Sequence, residues 1–140
     1  MRYPFNGTYR ITFKFGAIYT SIKGLLGLRH KGTDFGLPKG TPVVSTVNGT
    51  VVEANYKVSR GYGIVIIDSD KDKKISYYHL SKMYVKKGNK VKTGQKIGLS
   101  GSTGVFSTGP HLHFQLEVSP KGKNKWVVTD PMKYIHKGVR

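Results

Sequence analysis

Five side chains in this sequence have the types and spacing to do hydrolytic chemistry, and they fall in three groups. His30 and Asp34 stand four apart in His30-Lys31-Gly32-Thr33-Asp34. His79 sits in Tyr77-Tyr78-His79-Leu80. His111 and His113 stand two apart in the stretch from Gly109 to Val118. On an extended strand, residues i and i+2 share a face with Cα atoms ~6–7 Å apart, so two imidazoles can converge on one small centre. His30 and Asp34 would be ~13 Å apart on a straight strand. They meet only if the chain bends, and Gly32 permits that bend.

Each group alone has an ordinary reading: exposed strand histidines, a structural hydrogen-bonder, or a chance spacing in a chain with five histidines. Together they satisfy a chemical requirement. A catalytic zinc takes three nitrogen or oxygen ligands and keeps a fourth position for water. The metal lowers the pKa of that water from ~15.7 to near 7. Two further histidines can orient the water, take its proton or stabilise an oxyanion. The five groups therefore make a complete set, three to bind and two to assist. His136, in the basic tail, has no companion and reads as surface.

The elements that must position these residues are strands. From Gly109 to Val118, His111, His113, Gln115 and Glu117 alternate with Leu112, Phe114, Leu116 and Val118, which predicts a strand with an apolar row on the core and a polar row on a groove. Residues 8–15 alternate strictly, with Tyr9, Ile11, Phe13 and Phe15 on one face. Short strands are expected at Pro42–Thr46, Gly49–Ala54, Tyr62–Asp68, Lys74–Tyr78, around Lys90–Lys92, at Lys96–Ser100 and at Lys125–Val128. Asn48-Gly49 marks a turn, residues 16–32 read as a long loop, and Asp130-Pro131 opens a short terminal turn or helix. Eighteen glycines without a period favour many tight turns over long helices. The predicted fold class is all-β, a compact single domain of antiparallel sheets, β-sandwich-like, with a groove for the zinc site.

Two other motifs fail on inspection. Asp68, Asp70 and Asp72 lack the glycine and glutamate of a calcium loop and read as a solvated hairpin tip. The small-residue loop from Gly101 to Pro110 lacks the Gly-Lys-Ser/Thr ending of a phosphate cradle. With no cysteine, a thiolate metal site and a cysteine nucleophile are excluded.

The 140 residues carry 24 Lys and Arg against 7 Asp and Glu, a net charge of +17. Such a surface favours a polyanionic partner: nucleic acid, a membrane surface or an acidic cell wall. No basic helix or zinc-finger spacing accompanies the charge, so attraction to a polyanion is preferred over specific nucleic-acid binding. No run approaches the ~18–20 apolar residues of a membrane span, and the N-terminus lacks the apolar core of a secretion signal.

Five stretches now resemble one family: His30–Asp34, Gly61-Tyr62-Gly63, Tyr78–Ser81, Val91–Gly98 and Gly109–Phe114. They are similar to the lysostaphin/LytM family of zinc metalloendopeptidases, which cut the cross-links or stem peptides of bacterial peptidoglycan. The resemblance runs from about His30 to Val118. It implies that His30, Asp34 and His113 bind one Zn2+ and that His79 and His111 are the catalytic pair that handles water and oxyanion. It makes residues 1–140 one catalytic domain, with 1–29 supplying a strand and groove loop and 119–140 a strand and tail. A monomer acting on anionic peptidoglycan at the cell wall is expected, secreted or phage-borne. Tyr9, Tyr19, Tyr62 and Tyr77 are candidates for substrate contact, with core or rim packing the expected role of each.

Three other readings compete. A non-catalytic wall-binding or regulatory domain on the same fold is disfavoured by the filled ligand set. A biotinyl or lipoyl carrier, suggested by Lys90–Gln95, lacks the lysine-bearing hairpin tip and leaves the histidines unexplained. A nucleic-acid binder rests on charge alone.

Overall fold

The structure is a computed structural model and describes residues 1–20, 22, 24–107, 109–119 and 125–136. Its strands are β1 (Ile11–Phe13), β2 (Thr33–Phe35), β3 (Pro42–Val44), β4 (Gly49–Lys57), β5 (Gly61–Asp68), β6 (Lys73–Met83), β7 (Lys90–Val91), β8 (Lys96–Ser100), β9 (Leu112–Val118) and β10 (Val127–Thr129). A single 3-10 turn, Pro131–Tyr134, follows, with the Asp130 carboxylate accepting from the Met132 amide at 3.0 Å. Proline at its first position costs nothing there, because that amide would have no partner inside the turn.

Among the described residues the fold is nearly all-β and every strand pairing is antiparallel. The main path runs β1-β2-β9-β6-β5-β4-β7, with β10 on β9 and the β3–β8 pair joined to β6. β6 and β9 are the middle of this arrangement, and they carry the alternation that separates the two faces. Ile75, Tyr77, Leu80, Leu112, Phe114 and Leu116 point inward and are fully buried. They pack with Phe5, Phe35, Leu37, Val51, Ile64, Ile66 and Ile97 in one core. Lys74, Ser76 and Tyr78 face the other way, opposite Glu117, Gln115 and His113 across the ladder.

Two elements differ from the sequence expectation. The alternating segment 8–15 forms a strand only at Ile11–Phe13, and its register against β2 slips between those two residues. The segment 16–32 folds back on itself: Ile18 bridges Arg29, the Tyr19 amide donates to the Leu28 carbonyl, and the His30 amide donates to the Ala17 carbonyl at 2.7 Å. It thus delivers His30 to the sheet as one arm of an irregular hairpin.

β6 carries the departure that matters most. Its residues alternate through Ile75 and Tyr77 inward, and the next inward residue is Leu80, not His79. His79 occupies the left-handed region at φ 68°, and the register with β5 shifts at this point. A bulge of this kind inserts one residue and turns the following side chains over. The backbone of a non-glycine residue there costs about 1–3 kcal/mol, which the paired strands on both sides must support.

Candidate metal centre

Three strands and one loop bring the predicted residues together. Asp34 on β2 lies directly opposite His113 on β9. His30 enters from the folded-back loop, and the bend at Lys31-Gly32 closes the distance to Asp34: His30 Nε2 and Asp34 Oδ1 are 3.2 Å apart. Gly32 is needed here for space rather than for an unusual φ. A Cβ at that position would lie 2.6 Å from the Phe114 carbonyl oxygen and 2.9 Å from the His113 ring.

The donor atoms form a nearly equilateral triangle. His30 Nε2 to His113 Nδ1 is 3.1 Å, His113 Nδ1 to Asp34 Oδ1 is 3.1 Å, and the third edge is the 3.2 Å just given. Ligands at ~2.0–2.1 Å from a tetrahedral zinc stand about 3.3 Å apart, so the triangle has the dimensions such an ion requires. The electrostatics agree. His30 Nδ1 lies 3.2 Å from the Lys14 carbonyl oxygen, which only accepts, so Nδ1 carries the ring proton and Nε2 is a bare lone pair. A lone pair facing a carboxylate oxygen at this distance calls for a cation among them.

The other two histidines stand beside this triangle. The His79 ring lies 4.7 Å from the His111 ring and 6.1 Å from the His113 ring, centroid to centroid. His79 Nδ1 donates to the Thr103 carbonyl at 2.7 Å, and His111 Nδ1 to the Gly109 carbonyl at 2.8 Å. Both rings therefore present a bare Nε2 when neutral, and that of His111 is 3.6 Å from Asp34 Oδ2. Burial first, and the neighbouring His111 second, push the His79 pKa down to about 4. It is a neutral base at physiological pH.

Asp34, His79, His111 and His113 border one groove of about 810 Å³, and His30 is buried beside them. Phe13, Tyr19, Leu25, Leu28 and Phe106 form apolar parts of its wall. Of the four candidate tyrosines, Tyr19 alone lines this groove, its ring 5.6 Å from that of His30. Burial and the Asp34 charge push its pKa up to about 12, so it remains a hydroxyl donor. Tyr77 is in the core with its hydroxyl bonded to Thr46, Tyr9 packs edge-on against Phe5, and Tyr62 packs on Tyr56 at the surface.

Three groove residues escaped the sequence reading as participants. Tyr78 stacks on His113 at 5.3 Å with planes 5° apart. The Arg60 guanidinium lies over the Tyr78 ring at 4.7 Å and is held by Asn55 Oδ1 and the Asn55 and Gly61 carbonyls. Gly63 leaves the room that this guanidinium fills. Gln115 lies 2.9 Å from His113 Nε2. Only Gln115 had a sequence signal, its place on the same alternating row as His113.

An antiparallel all-β fold with a buried His/Asp/His triangle beside a groove has the donor set to hold a metal ion within reach of a bound substrate. The chain belongs to peptidase family M23, whose family model matches residues 28–127. It is 41% identical over 132 residues to the peptidoglycan DD-endopeptidase ShyA of Vibrio cholerae, covering 94% of this chain and 30% of that protein. The structure superposes on the catalytic domain of the antimicrobial peptidase lysostaphin from Staphylococcus simulans with a TM-score of 0.76 and 40% identity, over 90% of this chain and 91% of that one. A zinc-containing peptidase from Vibrio cholerae matches with a TM-score of 0.75 and 42% identity, over 84% of this chain and 36% of that one. The curated relatives are thus much longer than this chain.

Proposed function

We propose that this chain is a zinc-dependent endopeptidase that hydrolyses peptide bonds of bacterial peptidoglycan, in the cross-bridge or the stem peptide. The observation that carries the reading is the 3.1–3.2 Å triangle of His30 Nε2, Asp34 Oδ1 and His113 Nδ1 with two further imidazoles beside it. His30, Asp34 and His113 would hold one Zn2+. When bound, zinc supplies Lewis acidity, polarising a peptide carbonyl and acidifying water. His79 is the proton acceptor, at Nε2, because its Nδ1 hydrogen is committed to Thr103. His111, in ring contact with His79, shares that proton at Nε2, its Nδ1 hydrogen being held by Gly109, and once protonated presents Nε2–H to the developing oxyanion. Tyr19 keeps its hydroxyl proton and can donate to a substrate oxygen in the groove that it lines.

The anionic wall is the partner that the +17 charge suits, with the charge raising encounter rate more than selectivity. The proposed place of action is the cell wall, reached by secretion or on a phage particle. Among the described residues no helix is long and apolar enough to cross a membrane.

Turbidity loss of purified walls, measured with chelator and after zinc re-addition, tests the reading. Loss that stops on chelation and returns with zinc supports it, and mass spectrometry of the digest then names the bond. Zinc-loaded, folded protein that clears no wall type overturns it in favour of a binding or regulatory domain.

A further inference from the structure

A line of polar side chains leads away from His113 along one face of β9, through groups that the reaction above does not use. His113 Nε2 is 2.9 Å from Gln115 Oε1, and Gln115 Nε2 donates to Glu117 Oε1 at 3.1 Å. Glu117 Oε2 pairs with Lys74 Nζ at 3.7 Å, and that ammonium lies 5.0 Å from the Trp126 ring. The line follows from the fold. Residues 113, 115 and 117 share one face of β9, and the register sets Lys74 opposite Glu117. Gln115 is only 9% exposed, so water competes little for its amide.

Chemistry gives this line a direction. A carboxylate only accepts, so the Gln115 amide must turn its NH2 to Glu117 and its oxygen to His113. An amide oxygen also only accepts, so with a cation held between Nδ1 and Asp34 Oδ1 the ring proton sits on Nε2 and Nδ1 is the lone pair that faces the cation. Nδ1 is the atom that faces His30 Nε2 and Asp34 Oδ1. We propose that Gln115, oriented by Glu117 and Lys74, is a positioning residue that sets the His113 tautomer for metal binding. The inference rests on the zinc reading above and adds the device that prepares one of its ligands. The Lys14 carbonyl does the same for His30 through the main chain; His113 depends on side chains, so its preparation can be removed by substitution.

Two measurements test this. The first is the 15N spectrum of the His113 ring in zinc-loaded wild-type protein. A proton on Nε2 is expected, and a proton on Nδ1 overturns the proposal, whether or not any variant folds. The second is zinc affinity by chelator competition for the wild type, Gln115→Leu and Gln115→Glu. Removing an outer partner of a metal-bound histidine typically costs 10–100-fold in affinity, so Gln115→Leu should weaken zinc by about that factor while Gln115→Glu, which still accepts from Nε2–H, stays within about threefold of the wild type. Unchanged affinity in Gln115→Leu, or an equal loss in both variants, overturns the proposal. Wild-type protein that takes up no zinc overturns the zinc reading and this inference with it; a wild type that binds zinc as tightly as Gln115→Leu overturns the inference alone.

Discussion

Two clusters in this molecule each gather three potential metal ligands with donor atoms within 4.8 Å of one another: His30, Asp34 and His113, and Asp68, Asp70 and Asp72. They differ in what holds the far side of each ligand. In the first cluster the residues come from a folded-back loop and two paired strands, and all three are buried. The outer nitrogen of each imidazole is already committed, to Lys14 or to Gln115. The second cluster lies on one hairpin tip. Asp68 Oδ1 accepts from the Asp72 and Lys73 amides, Lys73 Nζ is 3.2 Å from Asp72 Oδ1, and Asp70 and Asp72 are exposed. Burial and the Asp72 contact push the Asp68 carboxyl up, away from the charged form that a cation needs. The Asp68 carboxylate is occupied in making the turn and that of Asp72 in pairing with Lys73. Ligand count does not distinguish these clusters; prior commitment of the ligand atoms does.

The contrast can be broken or sharpened by experiment. The largest effect is expected from His30→Ala, which removes one corner of the triangle. Zinc uptake should disappear and wall hydrolysis fall by about a thousandfold or more, since a bound metal supplies several kcal/mol of stabilisation at ~1.4 kcal/mol per tenfold in rate. Equal uptake in His30→Ala and the wild type would break the contrast outright. His79→Gln should reduce hydrolysis by about 10²–10⁴-fold, the usual contribution of a positioned proton acceptor, while zinc affinity measured in parallel stays unchanged.

A smaller effect concerns pH. The His79 pKa is about 4 in the fold and near 6.5 in the unfolded chain, so the unfolded state binds the proton first. The associated stability is present above about pH 6.5 and is lost as pH falls toward 4, by on the order of 3 kcal/mol. Denaturant unfolding of zinc-free protein should show that loss in the wild type and much less of it in His79→Gln. Gly32→Ala places a methyl group against the Phe114 carbonyl and the His113 ring. Overpacking of this sort should lower stability by about 1–3 kcal/mol in thermal unfolding and weaken zinc together. Smallest of all is the double variant Asp70→Asn, Asp72→Asn. Stability should stay within about ±0.5 kcal/mol and zinc uptake should match the wild type, as for ordinary surface positions.

What could be read from the sequence follows the same physics. The row His111, His113, Gln115 and Glu117 was legible because period-2 alternation over ten residues has one interpretation, and the strands of the central sheet were legible for the same reason. The meeting of His30 and Asp34 was legible as a requirement, with Gly32 as its means. The position of His79 was not. Straight alternation from Tyr77 would send it to the core, and only the bulge at φ 68° turns it to the groove. Arg60 could not be found either, since its stacking on Tyr78 depends on the space over Gly63 and on a turn between β4 and β5. The fold of segment 16–32 escaped because its pairing rests on main-chain bonds that leave no side-chain pattern.

The bulge in β6 also dictates where this domain can change length. Tyr77 and Leu80 both face the core, while Tyr78 and His79 between them both face the groove. Inserting or deleting one residue anywhere from Ile75 to Leu80 would exchange the two faces on one side of the bulge, putting either a core residue into the groove or a groove residue into the core. The exposed tip at residues 69–72 carries no such parity, because length added there is absorbed before either strand begins its alternation. Loop grafting and fusion should therefore be tolerated at that tip and fail within the strand it feeds.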